Sequence, residues 1–190
     1  YVDDVVLPEG SFVCAGSAVK LEAKKQPNMT YEWRDNWGTI YTENNKQTFE
    51  VYPQKTTTYT VKVTNMAGCS YEVSRQILVN ALPTVTVSGI KTFCLEEVGR
   101  TFTLTAASNP YSSKNTEIVW TYQVNGGTNT YKGTSLEFAP QTTGEFVFTV
   151  VARHTSNDIT CESTPVTHVV NVAGVPQVGV ADVKVVSSQN

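Results

Sequence analysis

Hydrophobic and polar residues alternate along several short segments of the chain. The segment "AVKLEAK" places Val19, Leu21 and Ala23 on one side of an extended chain, and "TYTVKVT", "TFTLTA" and "EFVFTVVA" follow the same period of two. This period is typical of strands with one buried face. Turn sequences such as "NMAG" and "NGG" separate the segments, and no segment keeps a helical period of 3.6. The pattern therefore predicts an all-β protein built of antiparallel β-sandwiches.

The order of these segments occurs twice. In each half a Cys precedes a strand, a strand with a central Trp follows, and a strand led by Thr-Thr comes before a second Cys. Repetition at this size indicates tandem domains rather than a solenoid. Each copy is followed by Val-Asn, a short apolar link and a Pro. We therefore predict domains at 1–81 and 82–175 and the start of a third repeat at 176–190, with a C-terminal tail as the alternative for this last segment.

The chain contains four cysteines, none of them in a CxxC motif, so their spacing does not favour a zinc site. An even number of cysteines in a β-rich chain favours disulfides and an oxidising compartment. Because each copy opens and closes with a Cys, we expect one disulfide within each domain, Cys14–Cys69 and Cys94–Cys161. A Cys14–Cys94 bond that joins the domains is the alternative.

Composition narrows the range of partners. The 190 residues are 40% hydrophobic and 16% charged, and the formal net charge is −3. Such a balance gives no basic surface for nucleic acid, and no apolar run approaches the roughly 20 residues of a membrane span. We therefore expect no nucleic-acid partner and no direct membrane insertion. The opening "YVDDVVLPEG" has neither Met nor a signal-peptide pattern, from which we expect an excised piece of a longer polypeptide.

The aromatic-rich segment "TYEWRDNWGTIY" is the best sequence lead on activity. Trp33 has a counterpart in Trp120 of the second copy, so both are interpreted as core residues. Trp37 lies in the turn sequence "DNWG" and has no counterpart. It either lies over a sheet edge or stacks on a sugar ring or a partner surface, since exposed aromatics with polar neighbours serve both kinds of recognition. The candidate ligand-binding or partner-binding residues are Arg34, Asp35, Asn36, Trp37 and Tyr41.

Catalytic patterns are not evident in the sequence. His154 and Asp158 lie close together in a segment that reads as a hairpin, and His168 alternates within the last strand pattern. A triad can be assembled in space from distant residues, but the sequence contains no nucleophile elbow, no Gly-rich phosphate loop and no evident carboxylate pair. We expect no enzymatic activity, no catalytic residues, no cofactor and no metal site.

The first copy carries a family resemblance in "VCAGSAVKLEA", "YEWRD" and "YPQKTTTYTVKVTNMAGCSYEVSRQILV". These motifs resemble the Ig-like, PKD-like repeats of large secreted and cell-surface proteins of Bacteroidetes bacteria. The match covers residues 11–80 well, whereas the second copy fits loosely, with Cys-Leu-Glu-Glu in place of Cys-x-Gly. A classical immunoglobulin domain fits less well, because a Tyr should lie two residues before the second Cys, and Ala67 and Ile159 lie there instead.

The resemblance implies two tandem Ig-like/PKD-like antiparallel β-sandwich domains at the bacterial cell surface. It implies a structural or adhesive stalk segment in an adhesin or in gliding-motility or type IX secretion proteins, with neighbouring repeats of the parent chain as partners. One alternative is a module that uses Trp37 to bind surface polysaccharide. Another is a segment that docks to another surface protein through an open strand edge.

Overall fold

The computed structural model describes residues 10–24, 26–41, 47–96, 99–110, 114–176 and 179. These residues form sixteen β-strands. In chain order the strands are β1 (Phe12–Cys14), β2 (Val19–Glu22), β3 (Met29–Asp35), β4 (Ile40–Tyr41), β5 (Thr48–Val51), β6 (Thr57–Asn65), β7 (Ser70–Asn80), β8 (Thr84–Ser88), β9 (Thr92–Leu95), β10 (Phe102–Asn109), β11 (Thr116–Val124), β12 (Gly127–Lys132), β13 (Ser135–Phe138), β14 (Gly144–Ser156), β15 (Ile159–Glu162) and β16 (Val166–Gly174). No stretch of the described residues is a helix long and apolar enough to cross a membrane. Almost all of the predicted third repeat lies outside the described residues.

Strands β1 to β7 form a first sandwich. One sheet has the order β1-β7-β6-β3-β4, and the other consists of β2 and β5. The alternation seen in the sequence places Val19, Leu21, Trp33, Tyr59 and Val61 between the two sheets, where they are buried. The predicted core position of Trp33 is therefore confirmed.

Strands β8 to β16 form a second sandwich, with sheets β12-β11-β14-β16-β9 and β13-β10-β8, and β15 pairs with β14. Trp120 is completely buried at its centre, which confirms the second predicted core Trp. Its indole N–H donates to the Gly133 carbonyl at 2.8 Å, so burial leaves no polar atom of the ring unpaired. Asn125 and Gly126 both have positive φ and close the β11–β12 hairpin, as the "NGG" signal predicts.

Each sandwich has two ends, which we call its base and its tip. The base is the end where the last strand finishes beside a short parallel strand, β1 beside β7 and β9 beside β16. The tip is the opposite end, where a hairpin leads into the last strand. Cys14 lies at the base of the first sandwich, paired in register with Asn80, and Cys69 lies at its tip. Cys94 lies at the base of the second sandwich and Cys161 near its tip.

The predicted disulfides within each domain are wrong. The structure joins Cys14 to Cys161, with Cα atoms 5.6 Å apart, and leaves Cys69 and Cys94 as exposed thiols. The reason is distance: β7 separates the tip from the base of the first sandwich by roughly 35 Å at about 3.3 Å per residue. A disulfide requires Cα atoms within about 7 Å. Cys14 lies beside the last residue of β7 and Cys69 just before its first, so the two cannot pair. The alternative Cys14–Cys94 bond is also not formed, although a bond between the two sandwiches is present.

Candidate functional site

The predicted Trp37 site is the hairpin that connects β3 and β4. Asp35 organises it: one carboxylate oxygen accepts the backbone N–H groups of Trp37 and Thr39, each at 2.9 Å. The other oxygen accepts the Tyr41 hydroxyl at 2.9 Å. Burial acts to raise the pKa of Asp35, but the hydrogen bonds from Thr39, Tyr41 and Trp37 together outweigh it and place the pKa below its ordinary value. Asp35 is therefore a turn-forming carboxylate.

The Trp37 side chain extends from this hairpin and is 55% exposed. Its indole N–H donates to the Thr57 hydroxyl at 3.2 Å, and the Lys55 ammonium lies 3.4 Å from the ring centroid. Both contacts hold the indole against the adjacent end of β6. A sugar stacked on Trp37 would therefore compete with Lys55 for a ring face and could not use the indole N–H.

The other predicted residues of this site also have partners within the first sandwich. Arg34 forms a 2.6 Å ion pair with Glu72 on the outer face of the sheet. Asn36 extends the β3–β6 ladder, because its side-chain oxygen accepts the N–H of Thr58. The Tyr41 ring packs 4.6 Å from that of Phe49, and burial is the first cause of its raised pKa. The structure brings the predicted residues into one hairpin, and their role in binding stays a prediction.

The histidines considered for catalysis each have a local partner. His154 Nδ1 lies 2.8 Å from the Thr116 hydroxyl, and His168 Nε2 lies 2.8 Å from the Ile90 carbonyl oxygen. Among the described residues, His, Cys, Asp and Glu side chains form no group of three or more that could hold a metal ion.

The joint between the two sandwiches is a second candidate site, which we define by Cys14, Asn80, Ser156, Asn157 and Cys161. The side-chain N–H of Asn80 donates to the Ser156 carbonyl at 2.9 Å. The side-chain oxygen of Asn80 accepts a hydrogen bond from the Asn157 side-chain N–H at 3.1 Å. Asn80 is thereby buried, and Cys161 is only 2% exposed. A covalent bond and two amide hydrogen bonds thus fix the base of the first sandwich to the tip of the second.

A hairpin of the second sandwich provides half of this joint. Asn157 and Asp158 both have positive φ, which allows a tight two-residue turn between β14 and β15. Ser156 pairs with Ile159, so the ladder continues beyond the His154–Cys161 pair and reaches Asn80. The corresponding hairpin of the first sandwich closes at Asn65 and Cys69 and lacks this extension.

Sequence reasoning missed the joint, although one signal for it was available. The segment "SYEVSRQILVN" is long enough to be a single strand that runs the whole length of a sandwich. Its two ends must then lie far apart, which excludes a bond between a base cysteine and a tip cysteine of the same sandwich. The repeated Val-Asn pair was misleading, because Ala173, and not Asn171, occupies the position of Asn80 relative to the base cysteine.

One edge of the first sandwich is open along part of its length. Strand β1 pairs only with residues 78–80 of β7, and no other described residue pairs with the outer edge of 70–77. Tyr71 and Val73 lie opposite Val63 and Val61 in the ladder, on the core side of the sheet. They are nevertheless exposed. An extended segment of a partner could pair with this edge and cover both side chains.

Comparisons with known proteins yield structural likeness at low identity. No protein-family model and no curated protein matches the chain. The three N-terminal domains of the Hoc outer capsid protein of bacteriophage RB49 align over 87% of this chain and 67% of theirs, at 15% identity and a TM-score of 0.47. Fibronectin(III)-like modules of Clostridium thermocellum CbhA align over 90% and 93%, at 17% identity and 0.38. A 1.5-MDa bacterial ice-binding adhesin aligns over 86% and 61%, at 17% identity and 0.37.

Proposed function

We propose that the chain is a non-catalytic stalk segment of a large exported bacterial surface protein, in which it spaces and presents other domains. The observation that supports this proposal is the joint, where Cys14–Cys161 and the Asn80 amide fix one sandwich to the next. Tandem domains joined by a short linker alone are expected to move relative to each other. A second covalent connection beside the linker limits that rotation, which is a property a spacer needs.

The two free thiols allow a direct test of rigidity. Cys69 and Cys94 are exposed and lie at the far ends of the two sandwiches, so donor and acceptor dyes on them report the end-to-end distance. Single-molecule energy transfer in the native chain should give one narrow distance distribution. The Cys14→Ser/Cys161→Ser variant carries the same labels and should give a distribution at least about twice as wide. Equal widths in the two proteins would contradict the stalk proposal.

The role of Asn80 in the joint can be separated from that of the disulfide. Asn80→Ala removes both amide contacts, whereas Ser156→Ala retains the Ser156 carbonyl that Asn80 uses. We expect Asn80→Ala to widen the distance distribution less than loss of the disulfide does, and Ser156→Ala to leave it unchanged. Widening by Ser156→Ala alone would show that the hairpin acts through another contact.

Carbohydrate binding is the alternative function, and it depends on Trp37. Titration with a panel of soluble polysaccharides, followed by tryptophan fluorescence, tests it directly. A stalk without glycan affinity should show no saturable change. Saturable binding that Trp37→Ala abolishes and Ile40→Ala preserves would establish the alternative, since Ile40 is an exposed apolar residue of the same hairpin.

Docking of another surface protein is a further alternative, and it is favoured by the open edge of β7. A partner strand would bond to the main chain of 70–77 and bury Tyr71 and Val73. Val73→Lys should abolish such binding. Val147→Lys, on the exposed face of β14, is the matched control and should not affect it.

A further inference from the structure

The two cysteines outside the disulfide occupy the same places in their sandwiches as the two within it. This equivalence is visible first at the base. Cys14 follows Val13, which pairs in parallel with Val79 of the last strand. Cys94 follows Phe93, which pairs in parallel with Val172 of the last strand. Cys94 is therefore the base cysteine of the second sandwich, and its side chain is exposed.

The equivalence holds at the tip as well. In the first sandwich Ile77, two residues before Val79, pairs with Thr57 of β6. In the second, Val170, two residues before Val172, pairs with Phe146 of β14. Asn65 lies eight residues after Thr57, and its backbone N–H donates a hydrogen bond to the Cys69 carbonyl. His154 lies eight residues after Phe146 and pairs with Cys161 in the ladder. Cys69 is therefore the tip cysteine of the first sandwich, at the rung that Cys161 occupies in the second.

We propose that the Cys14–Cys161 bond is one link in a head-to-tail series of disulfides. In this series Cys94 bonds to the tip cysteine of a following sandwich of the same kind, and Cys69 bonds to the base cysteine of a preceding one. The inference rests on the proposed stalk function and names the partner of each end. In each link the two thiols lose two protons and two electrons to a disulfide oxidant such as oxidised glutathione, which is reduced to thiols as the new S–S bond forms.

The surfaces around Cys69 and Cys94 fit a partner sandwich. The hairpin at the tip of the first sandwich, residues 65–69, contains no charged residue, and its Met66 is 85% exposed. Covering an uncharged hairpin with an exposed Met is favourable, because apolar surface leaves water and no ion is desolvated. At the base of the second sandwich, Ala173 occupies the position that Asn80 has in the first. In the proposed link, a short tip hairpin like residues 65–69 would therefore face a small side chain.

A tandem duplication, in which residues 1–173 precede a complete second copy, tests Cys69 and Cys94 together. In the native chain, Cys94 comes fourteen residues after Asn80. If Tyr1 of a second copy directly follows Ala173 of a first copy, Cys14 of the second copy comes fourteen residues after Ala173. The added copy then has the chain spacing that the second sandwich has from the first. If the second copy docks as the second sandwich docks on the first, Cys69 of the added copy lies beside Cys94 of the first copy.

The duplicated protein is refolded in oxidised and reduced glutathione, its free thiols are alkylated, and its disulfides are mapped by mass spectrometry without reduction. We expect a peptide that links Cys94 of the first copy to Cys69 of the second. Alkylation of that Cys94 should fall from complete in the single chain to below about a tenth. The Cys14–Cys161 bond of each copy reports that the sandwiches have folded.

A Cys94→Ser variant of the first copy is the matched control and should restore alkylation of Cys69 in the second copy. Full alkylation of the first copy's Cys94, with both Cys14–Cys161 bonds intact, would overturn the proposal. That result would leave the stalk function unaffected, because the rigidity of the native joint is measured on the single chain.

Discussion

The hydroxyl of Ser163 replaces a main-chain carbonyl as a hydrogen-bond acceptor in the ladder of the second sandwich. Ser163 lies between β15 and β16, where the last strand is interrupted before Pro165. Its N–H donates to the Ala152 carbonyl at 2.9 Å, and the Ala152 N–H in return donates to the Ser163 Oγ at 3.0 Å. The hydroxyl donates in turn to the Thr164 carbonyl at 3.0 Å. Ser163 therefore holds β15, which carries Cys161, against β14.

Ser163→Ala should destabilise the second sandwich by about 2 kcal/mol. Ala152 is completely buried and Ser163 is 4% exposed, so the Ala152 N–H would lose its acceptor where water cannot replace it. Leaving a buried donor unpaired costs about 1–3 kcal/mol. For a domain of this size the shift in Tm is on the order of 10 °C.

Urea unfolding and hydrogen exchange together measure this effect. The free energy of unfolding is obtained from urea titration, and exchange of the 144–156 peptide, measured by mass spectrometry, assigns the loss to β14. Ser74→Ala is the control, because the Ser74 hydroxyl bonds to Thr60 on the exposed face of the first sandwich. The control should change stability by less than about 0.5 kcal/mol. An equally small change for Ser163→Ala would refute the reasoning that its hydroxyl is an essential acceptor.

Three further predictions concern the cores and the Trp37 hairpin. Trp120→Ala should cost about 3–5 kcal/mol in urea unfolding, because it empties the centre of the second core, whereas Trp37→Ala should cost less than about 1 kcal/mol. Gly89→Ala should cost about 1–3 kcal/mol of stability in the same assay. The φ of Gly89 is +152°, and an added Cβ would lie 2.4 Å from Leu104 Cδ2 in the core. A cost near zero would contradict this packing. Because its pKa is lowered in the folded protein, the Asp35 carboxylate stabilises the fold at pH values above its ordinary pKa of about 4. This contribution is lost as the pH falls through the lower pKa of the folded state. The stability difference between native protein and Asp35→Asn, measured by urea unfolding, should therefore shrink from pH 7 to pH 2, and a constant difference would contradict this assignment.

The strands and the core were predictable from the sequence because they depend on local alternation. A period of two brings Val19 and Leu21 to one face whatever the partner strand is, and a Trp in the middle of such a strand is buried in both sandwiches. The all-β antiparallel sandwich architecture is confirmed for this reason. The hairpin at Asn125 was predictable on the same local grounds, since Asn-Gly accepts positive φ at both positions.

The disulfide and the joint depend on long-range choices that alternation does not encode. Strand β1, which contains Cys14, could lie beside the beginning or the end of β7, and its position decides which cysteine Cys14 can reach. Both arrangements have the same local sequence pattern. The two additional rungs beyond Cys161 are equally invisible to periodicity, yet they bring Asn157 to Asn80. Sequence reasoning located the Trp37 hairpin correctly, but the contacts of Trp37 with Lys55 and Thr57 cross from one strand end to another.

The disulfide also determines how much the molecule can lengthen under tension. If the chain is pulled from residues before Cys14 and after Cys161, the load passes through the S–S bond and bypasses the residues between them. The sequence separation of the two cysteines is 147 residues, which at roughly 3.5 Å per residue amounts to about 500 Å of contour length. This length stays unavailable even if both cores unfold. Reduction of a single bond would release it, so the oxidised protein is a tether of limited extension and the reduced protein is an extensible one.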